Sequence, residues 1–205
     1  TGLEAIVATE DKEIMEAVLK NGGEVILTGK HNTGTDRIYE AYKKIKKKYD
    51  LIIDIQGDEP LINPVHIDNV VEFHKKNKSI DIILPHIKIK YGDNHNIVKL
   101  LTDIKDNVIY LSRAKLPLEF KQINKSYKKH LSIISFKPDA LKKFHSSKRT
   151  PLEKSEDIEL LRALEIGLKI KTLPLRGDSF SIDILDDYKK AIEKFKIDKI
   201  SKKYR

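Results

Sequence analysis

Short apolar runs alternate along most of the chain with segments in which apolar residues recur every three or four positions. Runs of the first kind predict β-strands, and the second spacing predicts amphipathic helices. The predicted strands are residues 5–8, 24–27, 51–55, 80–89, 98–102, 108–111, 130–136 and 170–175. The predicted helices are residues 11–20, 35–48, 64–76, 155–166 and 185–195. Strands that alternate with helices favour an α/β fold.

The run at residues 51–55 is nearly continuous in apolar character, as expected of a parallel strand covered on both faces. The pair of strands at 98–111 instead predicts an antiparallel hairpin, with its turn at residues 103–107. No internal repeat or low-complexity linker divides the chain. We therefore expect one domain over residues 1–205, built on a mixed, mainly parallel sheet.

Composition narrows the classes of protein that this chain can represent. None of its apolar runs approaches the roughly 18 residues that cross a bilayer, so we predict no membrane insertion. The chain has no cysteine, which excludes disulfides, thiolate metal sites and a cysteine nucleophile, and fits a cytoplasmic protein.

The net charge of +9 leaves two interpretations open, nucleic-acid binding or solvated lysine-rich helix faces. The lysine clusters at 43–48 and 199–203 lack the interleaved aromatic residues that stack on bases. We favour solvated faces and predict no nucleic-acid partner. A basic surface would also favour anionic substrates, by an amount that falls with salt.

The most informative motif is Gln56-Gly-Asp-Glu-Pro60, directly after the strand at 51–55. Open α/β sheets bind ligands outside the carboxyl ends of their strands. Asp58 offers a hard carboxylate of the kind that Mg²⁺ binds. The alternative is a plain strand-to-helix turn, but five special residues together exceed what a turn requires.

Asp183 is a second candidate carboxylate, just before the helix at 185–195. Taken alone, it is more typical of a helix N-cap than of a metal ligand. Its interest comes from pairing with Asp58, because Mg²⁺ often takes one or two carboxylates together with phosphate oxygens. Gly34-Thr-Asp-Arg37 opens a helix whose amides and Arg37 could hold a phosphate, although a plain capped helix is equally consistent with it.

Taken together, these motifs resemble the 3-deoxy-manno-octulosonate (Kdo) cytidylyltransferase family. Two of them, Thr33-Gly-Thr-Asp-Arg37 and Gln56-Gly-Asp-Glu-Pro60, form a specific combination. The resemblance also rests on Val7-Ala-Thr-Glu-Asp11, Gly22-Gly-Glu-Val25, Val98-Lys99, Tyr110-Leu-Ser-Arg113, Lys129-His-Leu131 and Pro151-Leu-Glu153, in matching order and approximate spacing.

The resemblance implies a Rossmann-like nucleotidyltransferase with a small sugar-binding and dimerisation subregion at about residues 97–150. It implies transfer of CMP from CTP to the anomeric hydroxyl of an acidic sugar, most often Kdo, for lipopolysaccharide or capsule synthesis. It also implies a magnesium-dependent homodimer. By the same resemblance, the metal ligands are Asp58 and Asp183, the nucleotide contacts are Thr35, Arg37 and Gln56, and the sugar contacts are Arg113, His130 and Glu159.

The chain departs from the family pattern in three places. A phosphate-binding loop ending in Pro-Gly-Lys would precede Thr1, so we expect an N-terminally incomplete domain. Two polar sugar-facing positions are aliphatic here, Ile134 and Leu160, which removes two hydrogen bonds to the sugar. The loop around Asp183 keeps its carboxylate but differs in its neighbours. Two alternatives therefore stay open, a nucleotidyltransferase for a different acceptor and a non-catalytic nucleotide-binding protein.

Overall fold

The structure is a computed structural model that describes residues 1–90, 93–123, 126–177, 180–182 and 184–200. Its strands are β1 (Ile6–Thr9), β2 (Glu24–Leu27), β3 (Ile52–Ile55), β4 (Ile82–Ile89), β5 (Lys99–Thr102), β6 (Val108–Ser112), β7 (Tyr127–His130), β8 (Ile133–Phe136) and β9 (Ile170–Pro174). Its helices are α1 (Lys12–Lys20), α2 (Gly34–Lys44), α3 (Pro64–Lys76), α4 (Pro138–His145), α5 (Pro151–Glu156), α6 (Leu160–Glu165) and α7 (Leu185–Ile197).

The strands form two sheets. β1 and β2 form a parallel pair, and the other seven strands form one sheet in the order β3-β8-β4-β7-β5-β6, with β9 beside β4. Among the strands formed by the described residues of this larger sheet, the β4–β9 pairing is parallel and the other pairings are antiparallel. The α/β class is therefore confirmed, whereas the predicted mainly parallel sheet is not.

The reason for this difference lies in β8, which runs antiparallel between β3 and β4. Alternation of strands with helices cannot reveal that a strand from late in the chain inserts between two earlier ones. Among the described residues, β3 has β8 as its one strand neighbour and so lies at the edge of the larger sheet.

The core lies on both faces of the larger sheet. Ile82 and Leu84 of β4 pack on one face together with residues of α4 and α6, while Ile83 packs on the other face with Val70 of α3. Because both faces are covered, β4 is buried from residue 82 to residue 87. This arrangement accounts for the apolar residues Ile82–Pro85 at the start of the strand.

Two predicted elements are each divided in the structure. The predicted strand at 130–136 is two strands, β7 and β8, separated at residues 131–132. The predicted helix at 155–166 is replaced by α5 and α6, because Asp157 adopts φ +51° and interrupts the helical path. Helix α4 was not predicted, and α2 ends at Lys44 rather than near residue 48. In the described part of the chain, no helix combines the length and apolar character that a membrane crossing requires.

Candidate active site

The Gln56-Gly-Asp-Glu-Pro60 motif begins immediately after β3, at the carboxyl end of that strand. Ser132 anchors it at two points. The Ser132 hydroxyl donates a hydrogen bond to Glu59 Oε1 over 2.7 Å, and the Ser132 carbonyl accepts one from the Gln56 N–H over 3.4 Å. Glu59 is buried, whereas Gln56 and Asp58 are exposed. The fold thus holds the backbone of this turn and leaves two predicted functional side chains open to solvent.

Asp58 also contacts the segment that precedes α7. The backbone N–H of Ile182 donates a hydrogen bond to the Asp58 carbonyl oxygen over 2.9 Å. Asp183, the second predicted metal ligand, follows Ile182 directly but lies outside the described residues. The chain leading to Asp183 therefore lies against Asp58, and convergence of the two carboxylates stays a prediction.

The start of α2 brings one predicted nucleotide residue to one predicted sugar residue. Thr33 caps the helix, because its Oγ1 accepts a hydrogen bond from the Asp36 N–H over 3.2 Å. Thr35 is fully buried, and its N–H donates to Glu159 Oε2 over 3.3 Å. These two residues are 124 positions apart in the sequence, and the fold places them in direct contact.

Arg37, one turn into α2, is paired with an acidic residue. Its Nη2 lies 3.2 Å from Glu10 Oε1, and its Nε is buried without a hydrogen-bond partner among the described residues. Glu10 follows β1 directly, so Arg37 links α2 to the smaller sheet. The predicted contact between Arg37 and CTP stays a prediction.

Asp54 is a candidate site residue that the sequence motifs missed. Its side chain lies in the middle of β3 at 4% exposure, and Oδ2 has no hydrogen-bond partner within the described ranges. Burial, together with the nearby negative charge of Glu159, raises the pKa of Asp54 to about 7. Burial also raises the pKa of Glu159. An acidic residue inside the apolar run at 51–55 was the available signal, since ionisable groups with shifted pKa values concentrate at functional sites.

Arg113, the predicted partner of the sugar carboxylate, is held by backbone carbonyl groups. Its Nε donates to the Glu156 carbonyl over 2.9 Å, while Nη1 and Nη2 donate to the carbonyls of His95 and Asp157 over 3.1 and 3.2 Å. Lys99 also donates to the Arg113 carbonyl. These contacts fix the guanidinium beside the turn between α5 and α6.

His130 lies at the end of β7, and its Nδ1 is buried without a partner in the described part of the chain. Burial lowers the pKa of His130 to about 4, and the positive charges of Lys129 and Arg113 act in the same direction. The imidazole is therefore neutral near pH 7. In that form it can donate a hydrogen bond to a hydroxyl group or accept one from it, but it cannot form an ion pair with a carboxylate.

Ile134 and Leu160, the two positions that differ from the family, both belong to the main core cluster. Their exposed fractions are 1% and 2%. Ile134 lies opposite Asp54 in the pairing of β8 with β3, so the two side chains share one face of the sheet. Core packing accounts for aliphatic residues at these positions, and their predicted orientation towards the sugar stays a prediction.

The donor chemistry beside β3 suits a hard divalent cation. Asp58 supplies an exposed carboxylate at a strand end, and Mg²⁺ binds such oxygens while keeping several positions for phosphate and water. Within the described ranges, no three His, Asp or Glu side chains converge as a metal site. Mg²⁺ with one or two carboxylate ligands does not need such a cluster.

A comparison with family models shows to which family the chain belongs. A family model described as cytidylyltransferase matches residues 2–170, which is most of the chain. The chain belongs to the cytidylyltransferase family. The family predicted from the sequence motifs is thereby confirmed.

Two relatives of this cytidylyltransferase are described as 3-deoxy-manno-octulosonate cytidylyltransferases. The chain is 39% identical over 195 residues to a 3-deoxy-manno-octulosonate cytidylyltransferase of Fusobacterium nucleatum, covering 93% of this chain and 79% of that protein. It is 37% identical over 201 residues to the enzyme of the same name from Rickettsia rickettsii, covering 94% and 80% of the two chains.

Solved structures agree with this cytidylyltransferase fold. CMP:2-keto-3-deoxy-manno-octonic acid synthetase complexed with CTP matches with a TM-score of 0.87 and 25% identity, over 95% of this chain and 82% of that one. HddC from Yersinia pseudotuberculosis matches with a TM-score of 0.63 at 16% identity, over 95% and 80% of the two chains, which shows the fold alone.

Proposed function

We propose that this cytidylyltransferase transfers CMP from CTP to the anomeric hydroxyl of Kdo and releases pyrophosphate. The observation that carries the proposal is its 39% identity to a 3-deoxy-manno-octulosonate cytidylyltransferase over 93% of this chain. The exposed turn after β3 supports it, because the turn lies at the carboxyl end of that strand, where open α/β sheets bind their ligands.

On the nucleotide side, we assign CTP contacts to Gln56, Thr35 and Arg37. The exposed Gln56 amide can hydrogen-bond to the nucleotide from the end of β3. Thr35 and Arg37 lie in the first turn of α2, where the positive end of the helix dipole favours phosphate. Binding CTP there would require Arg37 to loosen or share its contact with Glu10.

On the sugar side, we assign Arg113, His130 and Glu159 to the acidic sugar. The carbonyl contacts of Arg113 hold its guanidinium rigidly, and its remaining N–H groups can donate to the sugar carboxylate. His130 is neutral and would contact a hydroxyl group. Glu159 accepts from Thr35 through Oε2, so its other oxygen can accept from a sugar hydroxyl.

Asp58 and Asp183 would hold Mg²⁺ in this proposal. The bound ion would offset negative charge on the triphosphate during nucleotidyl transfer. The chain's own contribution is to fix the reactants, because in-line displacement at phosphorus depends mainly on positioning. The anomeric oxygen forms a bond to the α-phosphorus of CTP and loses its proton to solvent. The bond from that phosphorus to the oxygen of the β-phosphate breaks, and pyrophosphate leaves with its electrons.

Further assignments follow from the same family. We propose that residues 97–150 form the sugar-binding and dimerisation subregion, that the protein acts as a homodimer in the cytoplasm, and that its product serves lipopolysaccharide or capsule synthesis. Exposed apolar side chains in this region, at Ile104, Ile109, Leu118, Phe120 and Ile123, are compatible with a subunit contact.

The test is pyrophosphate release by the purified protein with CTP, Mg²⁺ and a panel of sugar acids. We expect release that depends on Kdo and on Mg²⁺, and slower release with UTP in place of CTP. Release with another sugar acid but not with Kdo would favour the alternative acceptor. Binding of CTP without release for any sugar acid would favour a non-catalytic nucleotide-binding protein.

A further inference from the structure

The side chain of Arg162 lies between α2, α5 and α4 and is 2% exposed. Its Nε and Nη2 donate to Glu153 of α5, over 2.9 Å to Oε2 and 2.6 Å to Oε1. Its Nη1 lies 3.3 Å from Asp36 Oδ2 in α2. The guanidinium also stacks on the Phe144 ring of α4, 4.1 Å from its centroid. One buried cation therefore joins three helices.

The two carboxylates that meet Arg162 have little access to water. Glu153 is fully buried, and the Asp36 side chain is 14% exposed. A buried ion pair that loses one partner leaves an uncompensated charge, which is strongly unfavourable. The structure therefore favours the arrangement in which Arg162 contacts α2 and α5 together.

Asp36 stands between the two α2 residues assigned to CTP, Thr35 and Arg37. Arg162 lies three residues after Glu159, which is assigned to the sugar, and its N–H donates to the Glu159 carbonyl over 3.0 Å. The start of α2 and the start of α6 are thus joined twice, by Arg162 with Asp36 and by the Thr35 N–H with Glu159. In each connection, the residue of α2 lies on the side of the site assigned to CTP, and its partner, Arg162 or Glu159, lies on the side assigned to the sugar.

We propose that Arg162 and Asp36 are positioning residues that link the nucleotide half of the site to the sugar half, so that binding of CTP and binding of Kdo strengthen each other. This inference rests on the proposed function. Neither residue contacts a substrate in this account. Asp36 acts by fixing its neighbours Thr35 and Arg37, and Arg162 acts by fixing Glu159.

A purely structural ion pair would give a different result. It would contribute to the free energy of unfolding and leave the two substrates independent of each other. The distinguishing quantity is the factor by which saturating Kdo lowers the KM for CTP. Coupling between two sites typically changes an affinity by about five- to 150-fold.

Asp36→Asn is the informative variant. It removes the ionic contact of Asp36 with Arg162 and the contact of Asp36 Oδ1 with His145 Nδ1 over 3.0 Å. Arg162 keeps both bonds to Glu153, so the buried guanidinium is not left without a carboxylate. The Asn side chain can still accept from the Thr33 hydroxyl, which donates to Asp36 Oδ2 over 2.8 Å. Arg149→Gln is the matched control, because Arg149 also contacts Glu153 and, among the described residues, pairs with Asp157 but not with any residue of α2.

The experiment measures initial rates of pyrophosphate release over a matrix of CTP and Kdo concentrations, with the melting temperature of each variant. We expect saturating Kdo to lower the KM for CTP by about fivefold or more in the natural protein and in Arg149→Gln. We expect this factor to approach one in Asp36→Asn, with a cooperative melting transition that shows the variant is folded.

Three outcomes separate the hypotheses. If the natural protein releases no pyrophosphate in response to any sugar acid, the proposed function fails. If release occurs but the natural protein shows no coupling, or Asp36→Asn keeps the natural factor, the positioning role is overturned. Should Asp36→Asn not fold, Arg162→Lys decides, because a single ammonium keeps the buried charge but cannot reproduce the fork between Glu153 and Asp36. A folded Arg162→Lys with the natural coupling factor would also overturn the role.

Discussion

The turn after β3 and the sugar side of the candidate site differ in how far their residues are exposed to solvent. On the nucleotide side, the turn after β3 is anchored through its backbone and Glu59, while Gln56 and Asp58 are exposed. On the sugar side, Arg113 is bound to three carbonyl groups, and Glu159 accepts from Thr35. The turn is an exposed surface held by an anchored backbone, and the sugar side is a partly buried hydrogen-bond network.

This difference affects what a substitution in each half will do. An exposed side chain on an anchored turn can be changed with little effect on folding, so its variants report on chemistry. A buried polar side chain contributes to the fold as well, because an unpaired buried group is costly. Variants on the sugar side must therefore be judged by stability and by kinetics together.

The largest effect is expected at Asp58. Asp58→Asn removes the exposed carboxylate assigned to Mg²⁺, so we expect turnover to fall by about 100-fold or more while the melting temperature stays near that of the natural protein. Asp183→Asn should behave alike. Pyrophosphate release checks both, with Glu72→Gln, an exposed carboxylate of α3, as the control. Near-normal turnover in either variant would remove that residue from the metal site.

A large effect on stability is expected at Arg162. Arg162→Met leaves the fully buried Glu153 without its bidentate partner, so the free energy of unfolding should fall by roughly 3–5 kcal/mol. Arg149→Gln removes a half-exposed cation from the same carboxylate and should lower it by about 1 kcal/mol or less. Denaturant unfolding measures both. Equal losses in the two variants would show that burial does not distinguish these arginines.

A smaller, pH-dependent effect is expected at Asp54. The pKa of Asp54 is raised from 3.8 to about 7, so the native state holds more protons than the unfolded state between those values. Stability from this group is therefore present below about pH 4 and is lost as the pH rises through 7. Asp54→Asn cannot ionise. It should stabilise the protein at pH 8 by roughly 1–3 kcal/mol and change little at pH 4.

The comparison variant for Asp54 is again Glu72→Gln, measured by denaturant unfolding at both pH values. An Asp54→Asn protein that is no more stable than the natural one at pH 8 would contradict burial of an ionised carboxylate in β3.

A substitution at Leu160 tests whether this residue belongs to the hydrophobic core or contacts the sugar. Leu160→Gln restores the polar residue of the family pattern at a position 2% exposed within the main core cluster. We expect a loss of roughly 1–3 kcal/mol in the free energy of unfolding, because the amide is buried, and no decrease in the KM for Kdo. Unchanged stability together with a lower KM would place residue 160 at the sugar.

Sequence reasoning succeeded where a function depends on a short contiguous motif. Thr33-Gly-Thr-Asp-Arg37 and Gln56-Gly-Asp-Glu-Pro60 together identified the family, because the residues of each motif are neighbours in the chain. It failed where a role depends on partners far away in sequence. The insertion of β8 beside β3, the pairing of Arg162 with Asp36 and the carbonyl contacts of Arg113 all join segments that local patterns treat separately.

Asp54 is another residue whose role depends on partners distant in sequence. Its position within an apolar strand was visible in the sequence, but its shifted pKa depends on burial and on Glu159. Similarly, the helix predicted at 155–166 kept its apolar spacing while Asp157 broke it in two. Patterns of apolar residues describe which face is buried and do not describe where the backbone turns.

The most direct test of the central claim follows the α-phosphate of CTP. The protein is incubated with Kdo, Mg²⁺ and CTP labelled at either the α- or the γ-phosphate. We predict that the α-label moves into a product containing Kdo, at the same rate as the γ-label appears in pyrophosphate. Label that stays in CTP, or CMP that forms at the same rate without Kdo, would contradict transfer of CMP to this sugar.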